Sequence, residues 1–148
     1  MKLHIVWIGK TKESAIRALT EEYLKRLGRY TPTESHELAD EDALLKLVEK
    51  ASGRTRPTFV VLDEKGRQVT SQDFADLLRD QQQRGSQNLI FAVGPADGFA
   101  HKTRHAADLV VSFGKITLAH ELARVVLLEQ LYRGFTILHG HPYHRSSG

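Results

Sequence analysis

The sequence predicts an α/β fold: a mostly parallel sheet with helices on both faces. Three observations carry this. The short apolar runs at 3–8, 58–62, 89–93 and 109–113 are continuous rather than alternating, as in strands covered on both sides. The stretches between them place apolar residues at helical spacing. Strands and helices also alternate along the chain, the order of crossover-connected units. With 148 residues, the chain reads as one domain spanning 1–148 with one sizeable core.

In order, Leu3 to Ile8 is a buried strand ending at Gly9. Glu13 to Arg29 is an amphipathic helix with Ile16, Leu19, Tyr23, Leu24 and Leu27 on one side. Its basic end, Lys25, Arg26 and Arg29, suits the negative pole of the helix dipole. Thr31-Pro32 breaks it, and Thr33 to Ala39 reads as a second, more polar strand. Asp40 caps a helix running to Ala51, stopped near Gly53. Thr58 to Leu62 is a β-rich run ending at Asp63, with Lys65-Gly66 as the turn. Ser71 is expected to cap a helix through about Arg84, which Gly85 stops. Leu89 to Val93 is a buried strand running into Gly94-Pro95-Ala96-Asp97-Gly98. A short helix covers His101 to Ala107, and Leu109 to Phe113 is the last strand. The final helix runs from about His120 to Leu138.

Composition excludes several classes. There is no cysteine, hence no disulfide, no zinc-thiolate site and no Cys nucleophile. No apolar run approaches the ~20 residues of a membrane helix, and the N-terminus MKLHIVWIGK resembles a core strand more than a signal peptide. The expectation is a cytoplasmic protein. A formal net charge of +3 permits a polyanionic partner without establishing one.

In parallel sheets, ligands sit outside the carboxyl ends of the strands. Here those ends are Leu62-Asp63, Gly94 to Gly98 and Gly114 to Leu118. Gly9-Lys10-Thr11 is no Walker loop, because His4 stands where the first glycine belongs; Gly114-Lys115 fails in the same way with Leu109. The Gly94 to Gly98 stretch is either a ligand-binding turn or an ordinary strand-to-helix turn, and its spacing is not that of a dinucleotide fingerprint. His139, His141 and His144 form an H-x-H-x-x-H cluster with no supporting carboxylate, which reads as a polar tail; no metal is expected. His101 and His105 share a helix face with no third ligand and read as solvent-facing. Arg124 reads as lying on a solvated face or as functional, and Glu129 is spaced to pair with Arg133.

The run VVSFGKITLAHELARVVLLEQLYRGFTI, followed by HPYHR, resembles the C-terminal signature of the ribosomal RNA large subunit methyltransferase H family, small SPOUT-class enzymes that use S-adenosylmethionine. The likeness extends to MKLHIVWIGK, to EEYLKRL at 21–27, to VVLDEKG at 60–66 and to the loop at 94–98, and so to essentially the whole chain. It implies a deep trefoil knot near the C-terminus and a homodimer with cofactor and active sites close to its interface. The implied reaction is methylation at N3 of a pseudouridine in large-subunit ribosomal RNA, on the assembled ribosome.

Residue by residue, the resemblance gives Leu62 and Gly94 to the cofactor, with Phe113, Gly114, Lys115, Ile116, Thr117 and Leu118 as its adenosine-binding loop. His120 and Arg124 match positions facing the active site, and Tyr143, His144 and Arg145 match the functional tail. Where the family has Gly-Gly-Pro-Glu-Gly, this chain has Gly94-Pro95-Ala96-Asp97-Gly98, and Pro95 has no N–H to donate.

N3 of a uracil-type ring is a poor nucleophile until its proton leaves. Arg124 or Arg145 is the candidate to stabilise the developing ring anion, and His144 or His120 the candidate base. Phosphate contacts are expected from the tail and from residues such as Lys25, Arg26, Arg29, Lys102 and Arg104, with Tyr143 stacking on a base. A SPOUT-like enzyme acting on another RNA, such as transfer RNA, and a non-catalytic RNA- or ribosome-binding dimer remain as alternatives.

Overall fold

The structure is a computed structural model that describes residues 1–143; His144 and Arg145 lie outside the described residues. The elements are β1 (Lys2–Ile8), α1 (Ser14–Gly28), β2 (Thr33–Leu38), α2 (Glu41–Ala51), β3 (Thr58–Gln68), α3 (Ser71–Gln83), β4 (Asn88–Val93), α4 (His101–Ala106), β5 (Leu109–Ser112) and α5 (His120–Leu138). The strands form one five-stranded sheet in the order β2-β1-β4-β3-β5. Every strand pair is parallel.

Period-two alternation divides the strand residues between two cores. On one face, Leu3, Ile5, Trp7, Val60, Leu89 and Phe91 pack against Leu27 of α1, Phe74 and Leu78 of α3, and Leu127, Leu131 and Phe135 of α5. On the other, Val6, Ile8, Phe59, Val61, Ile90 and Ala92 pack against Leu44 of α2 and Phe99. Both faces are thus covered, which is why these strands read as unbroken apolar runs. β2 is the exception: TESHEL is polar and only partly buried because it is an edge strand.

Local signals set most boundaries. The Asp40 carboxylate accepts from the Ala43 N–H at 2.9 Å and caps α2. For α3 the cap is Thr70, not Ser71. Thr70 accepts from the Asp73 N–H while Asp73 accepts from the Thr70 N–H, a reciprocal capping box. The Ser71 hydroxyl instead bonds Gln130 of α5 at 2.5 Å. β3 also runs past the expected end. Leu62 and Arg67 both register against Val111, so residues 63–66 bulge out before the strand resumes. Among the described residues, no helix is long and apolar enough to cross a membrane.

α5 packs against both α1 and α3, and its approach to α3 depends on Gly134. A Cβ at Gly134 would lie 2.9 Å from Leu78 Cδ1 and 3.4 Å from the Ala75 nitrogen. Gly134→Val is expected to overpack this contact and lower stability by about 1–3 kcal/mol, read as a shift of the urea midpoint at unchanged m-value.

Candidate active site

The carboxyl ends of β3, β4 and β5 open onto one cleft, the place where parallel sheets hold ligands. Leu62 and Asp63 form one wall and Val93 with the Gly94 to Gly98 turn a second. The third is the segment after β5, with Phe113, Gly114, Ile116, Thr117 and Leu118. The start of α5, through His120 and Ala123, closes the fourth side. The three strand ends named from sequence therefore converge. Leu62, Gly94, Phe113, Gly114, Ile116, Thr117, Leu118 and His120 all line the cleft. Lys115 is exposed and outside the lining.

Each wall has a local cause. The 94–98 loop closes as a turn, the Gly98 N–H donating to the Pro95 carbonyl at 2.9 Å. Gly94 is tight against Phe99, whose ring lies 2.9 Å from where a Cβ would stand. After β5, the Ser112 hydroxyl donates to the Gly114 carbonyl at 3.0 Å and accepts from the Gly114 N–H at 3.1 Å, bending the chain into the cleft wall. Phe113 packs on Phe74 of α3 with ring centroids 6.2 Å apart. Ile116, beyond it, is 80% exposed at the cleft mouth.

Asp63, named from sequence only as part of a strand end, also lines the cleft. Its buried carboxylate accepts from the Lys65 N–H at 2.9 Å and the Phe99 N–H at 3.0 Å, with the Arg104 guanidinium 3.9 Å away. It joins the β3 bulge to the loop after β4. A lone Asp at a strand end gives no sign of a partner 36 positions later.

Arg124 does not reach the cleft, and the solvated-face reading fails: the residue is 0% exposed. Its guanidinium donates to Thr11 Oγ1 at 2.9 Å, the Ile8 carbonyl at 3.1 Å and the Gly9 carbonyl at 3.2 Å, and lies 5.7 Å from the Trp7 ring centre. Among the described residues Nε has no hydrogen-bond partner. Burial pushes the guanidinium pKa down, opposed by the charges of Glu121 and Glu37. One turn earlier, the Glu121 carboxylate accepts from the N–H groups of Lys12 at 2.9 Å and Glu13 at 3.1 Å, at the start of α1. The Glu13 N–H is the largest cause of its lowered pKa.

Tyr143 lies away from the cleft, against α1 and α5. Its hydroxyl is 3.2 Å from both the Tyr23 hydroxyl and Glu129 Oε1, and its ring meets Tyr132 edge-on at 4.7 Å. Burial first, then the Tyr23 hydrogen bond and the Glu129 charge, pushes its phenol well above the usual range. Arg133 pairs with Glu129 at 2.5 Å, the predicted i,i+4 pair, and lies over the Tyr143 ring. His139 and His141 gather around Tyr30.

A parallel sheet with a cleft at its carboxyl ends is the general ligand-binding frame of open α/β folds, and the comparisons give the class as SPOUT methyltransferase. The family described as "Predicted SPOUT methyltransferase" matches residues 1–144. The chain is 60% identical over 144 residues to "Ribosomal RNA large subunit methyltransferase H" of Koribacter versatilis (strain Ellin345), covering 97% of this chain and 98% of that one. It is 41% identical over 157 residues to the protein of the same name from Geobacter sp. (strain M21), covering 97% and 99%. The chain belongs to the ribosomal RNA large subunit methyltransferase H family of SPOUT methyltransferases. Its fold is also that of the SpoU methyltransferase AviRb from Streptomyces viridochromogenes, with TM-score 0.53 and 15% identity over 93% of this chain. This chain spans 60% of the length of that structure. A second AviRb structure, in complex with the cofactor AdoMet, gives the same TM-score of 0.53 over 88% of this chain.

Arg124→Ala is expected to leave the Ile8 and Gly9 carbonyls and the Thr11 hydroxyl unpaired in the interior, costing about 3 kcal/mol in chemical denaturation. Glu121 gives a pH signature. Its folded pKa is depressed, so its contribution is fully present above the unfolded carboxylate value and is lost as pH falls through the lower folded value. The stability gap between wild type and Glu121→Gln should therefore be widest near neutrality and close on acidification below the ordinary glutamate range.

Proposed function

We propose that this protein methylates N3 of a pseudouridine in large-subunit (23S) ribosomal RNA. It takes the methyl group from S-adenosylmethionine and acts as a cytoplasmic homodimer on the assembled ribosome. The observation that carries this reading is the 60% identity, over nearly the full length of both chains, to a ribosomal RNA large subunit methyltransferase H. The converged cleft supports it.

The cleft residues fit the cofactor. Leu62, Val93, Ile116 and Leu118 offer apolar surface to a purine, and the irregular segment from Gly114 to Leu118 offers main-chain polar groups to its edge. Gly94 and Phe99 keep the opposite wall closely packed. Pro95 donates no N–H, so hydrogen bonds on that wall would come from other main-chain groups. Bound there, S-adenosylmethionine supplies an electrophilic methyl group on a sulfonium. The protein's tasks are alignment of the base and exclusion of water.

His120 borders the cleft and would face the reacting base, with an imidazole suited to accept the N3 proton. The start of α5 would favour the ring anion through its dipole, since Ala119 at the N-cap gives no side-chain oxygen to the first turn. Arg124 would act as a positioning residue, holding that first turn against β1. His144 and Arg145 are the tail candidates for base and anion stabiliser.

The homodimer rests on a distance within one chain. Tyr143 contacts Glu129 and Tyr132, on the order of 15 Å along α5 from His120 at 1.5 Å per residue. A site that uses both the cleft and the tail is most simply assembled from two chains, each tail reaching the other's cleft. A trefoil knot is proposed on the same reading of the family; α5 returns from the edge strand β5 to lie against α1 and α3.

Nucleoside mass spectrometry of 23S ribosomal RNA from a deletion strain tests the function. N3-methylated pseudouridine should vanish and return on complementation. Its persistence, with loss of a methylated nucleoside from transfer RNA, would move the substrate. Calorimetric titration with S-adenosylmethionine separates an enzyme from a non-catalytic binder, which would show no uptake. In single-turnover assays, His120→Ala or His144→Ala should slow methyl transfer by about 100-fold or more. Wild-type rates in both variants would end the histidine-base assignment.

A further inference from the structure

We propose that His4, Glu34 and His36 form a binding site for a borderline divalent transition cation, with Zn2+ as the best match, near the amino ends of β1 and β2 and on the opposite side of the molecule from the cleft. Strand register builds it. β1 and β2 are parallel, with His4 opposite Glu34 and Val6 opposite His36. The three side chains therefore emerge on one sheet face, that covered by α2. One donor atom from each lies within 4.8 Å of the others.

The hydrogen bonds around His4 prepare it as a ligand. Asn88 Nδ2 donates to the Ala51 carbonyl at 3.5 Å, so its Oδ1 faces His4 Nε2 at 2.8 Å. An amide oxygen only accepts, so the His4 proton sits on Nε2 and Nδ1 keeps its lone pair. A second ring nitrogen bonded to a carbonyl oxygen is the usual outer support of a metal-bound histidine. His4 Nδ1 points at His36 Nε2 across 3.4 Å. Two nitrogens 2.0–2.1 Å from a tetrahedral zinc stand about 3.3–3.4 Å apart.

The carboxylate divides its two oxygens. Glu34 Oε2 pairs with Lys2 Nζ at 2.5 Å, and Oε1 faces His36 Nε2 at 3.8 Å. Its side chain is 48% exposed on an edge strand, so it has room to close on an ion, with water completing the shell. The charged and titratable groups facing the site are Lys2, Glu34, His4 and His36. Burial is the main cause of a lowered His36 pKa, with Glu34 opposing it and His4 and Lys2 adding to it. Lys2 opposes a dication, and its pairing with Glu34 Oε2 leaves the other oxygen for the metal. Bound there, the ion would pin edge strand β2 to β1 without touching the cleft.

The test is calorimetric titration of the full, untagged chain with Zn2+, with Co2+ absorbance as the geometric readout. Zn2+ should bind one per chain, and Co2+ should give the intense visible bands of a tetrahedral site. His36→Gln, on the partly exposed edge strand, should weaken Zn2+ affinity by about 100-fold, and Asn88→Leu by about 10–100-fold through the lost support of His4. Zn2+ should raise the Tm of wild type but not of His36→Gln. The double variant His139→Ala/His141→Ala separates this site from the tail histidines and should bind like wild type. Absence of saturable binding, wild-type affinity in His36→Gln, or loss of binding in the tail variant would each overturn the proposal.

Discussion

The structure depends on the clasp between the first turns of α5 and the end of β1. Arg124 is wholly buried, and a buried guanidinium persists only where its protons have acceptors. Here the acceptors are two main-chain carbonyls at the β1 exit and the Thr11 hydroxyl, with Trp7 beneath the charge. Glu121 works on the same turn from the other side, taking the free N–H groups at the start of α1, where an anion is favoured. His120 directly precedes Glu121 and lies one turn before Arg124. The direction in which the cleft-facing side chain points is thus fixed by contacts that never enter the cleft.

Around that clasp, two of the cleft walls are held in different ways. The 94–98 turn is braced from behind by Phe99 and by Asp63, which hydrogen-bonds both the Phe99 N–H and its own β3 bulge. The segment after β5 is bent by Ser112 and then runs out into solvent, with a largely exposed isoleucine at the mouth. One wall is therefore held from behind by packing and hydrogen bonds, and the other opens to solvent.

Most of the fold was legible because a two-side-covered parallel sheet writes itself as continuous apolar runs. β1, β3, β4 and β5 were visible this way, and the alternative of an alternating, half-exposed sheet was excluded. The errors have physical reasons. Thr70 and Ser71 are both residues that cap helices, and Asp73 decides for Thr70 by completing the box with it. β3 continues past Leu62 because a bulge lets Arg67 recover the pairing with Val111, and a bulge has no pattern of its own. The strand ends predicted to meet do meet, since topology alone places them. The solvated-face alternative for Arg124 failed because helical spacing does not say which of several packed faces a residue occupies; α5 has neighbours on more than one side. The grouping of His4 with Glu34 and His36 was invisible for a similar reason, as only the β1–β2 register brings positions so far apart together.

The Arg124 bond to the Ile8 carbonyl spans 116 positions of sequence. Contacts of such long range are slow to form, because a large loop must close before the bond gives anything back. During synthesis β1 is made early, yet its exit cannot be clasped until α5 has left the ribosome. β1 and β4 can pair before then, but the carbonyls at the end of β1 stay open to water until the last helix docks. Completion of the cleft is therefore tied to the synthesis of α5, and a truncated product ending before residue 120 would lack the element that orders it.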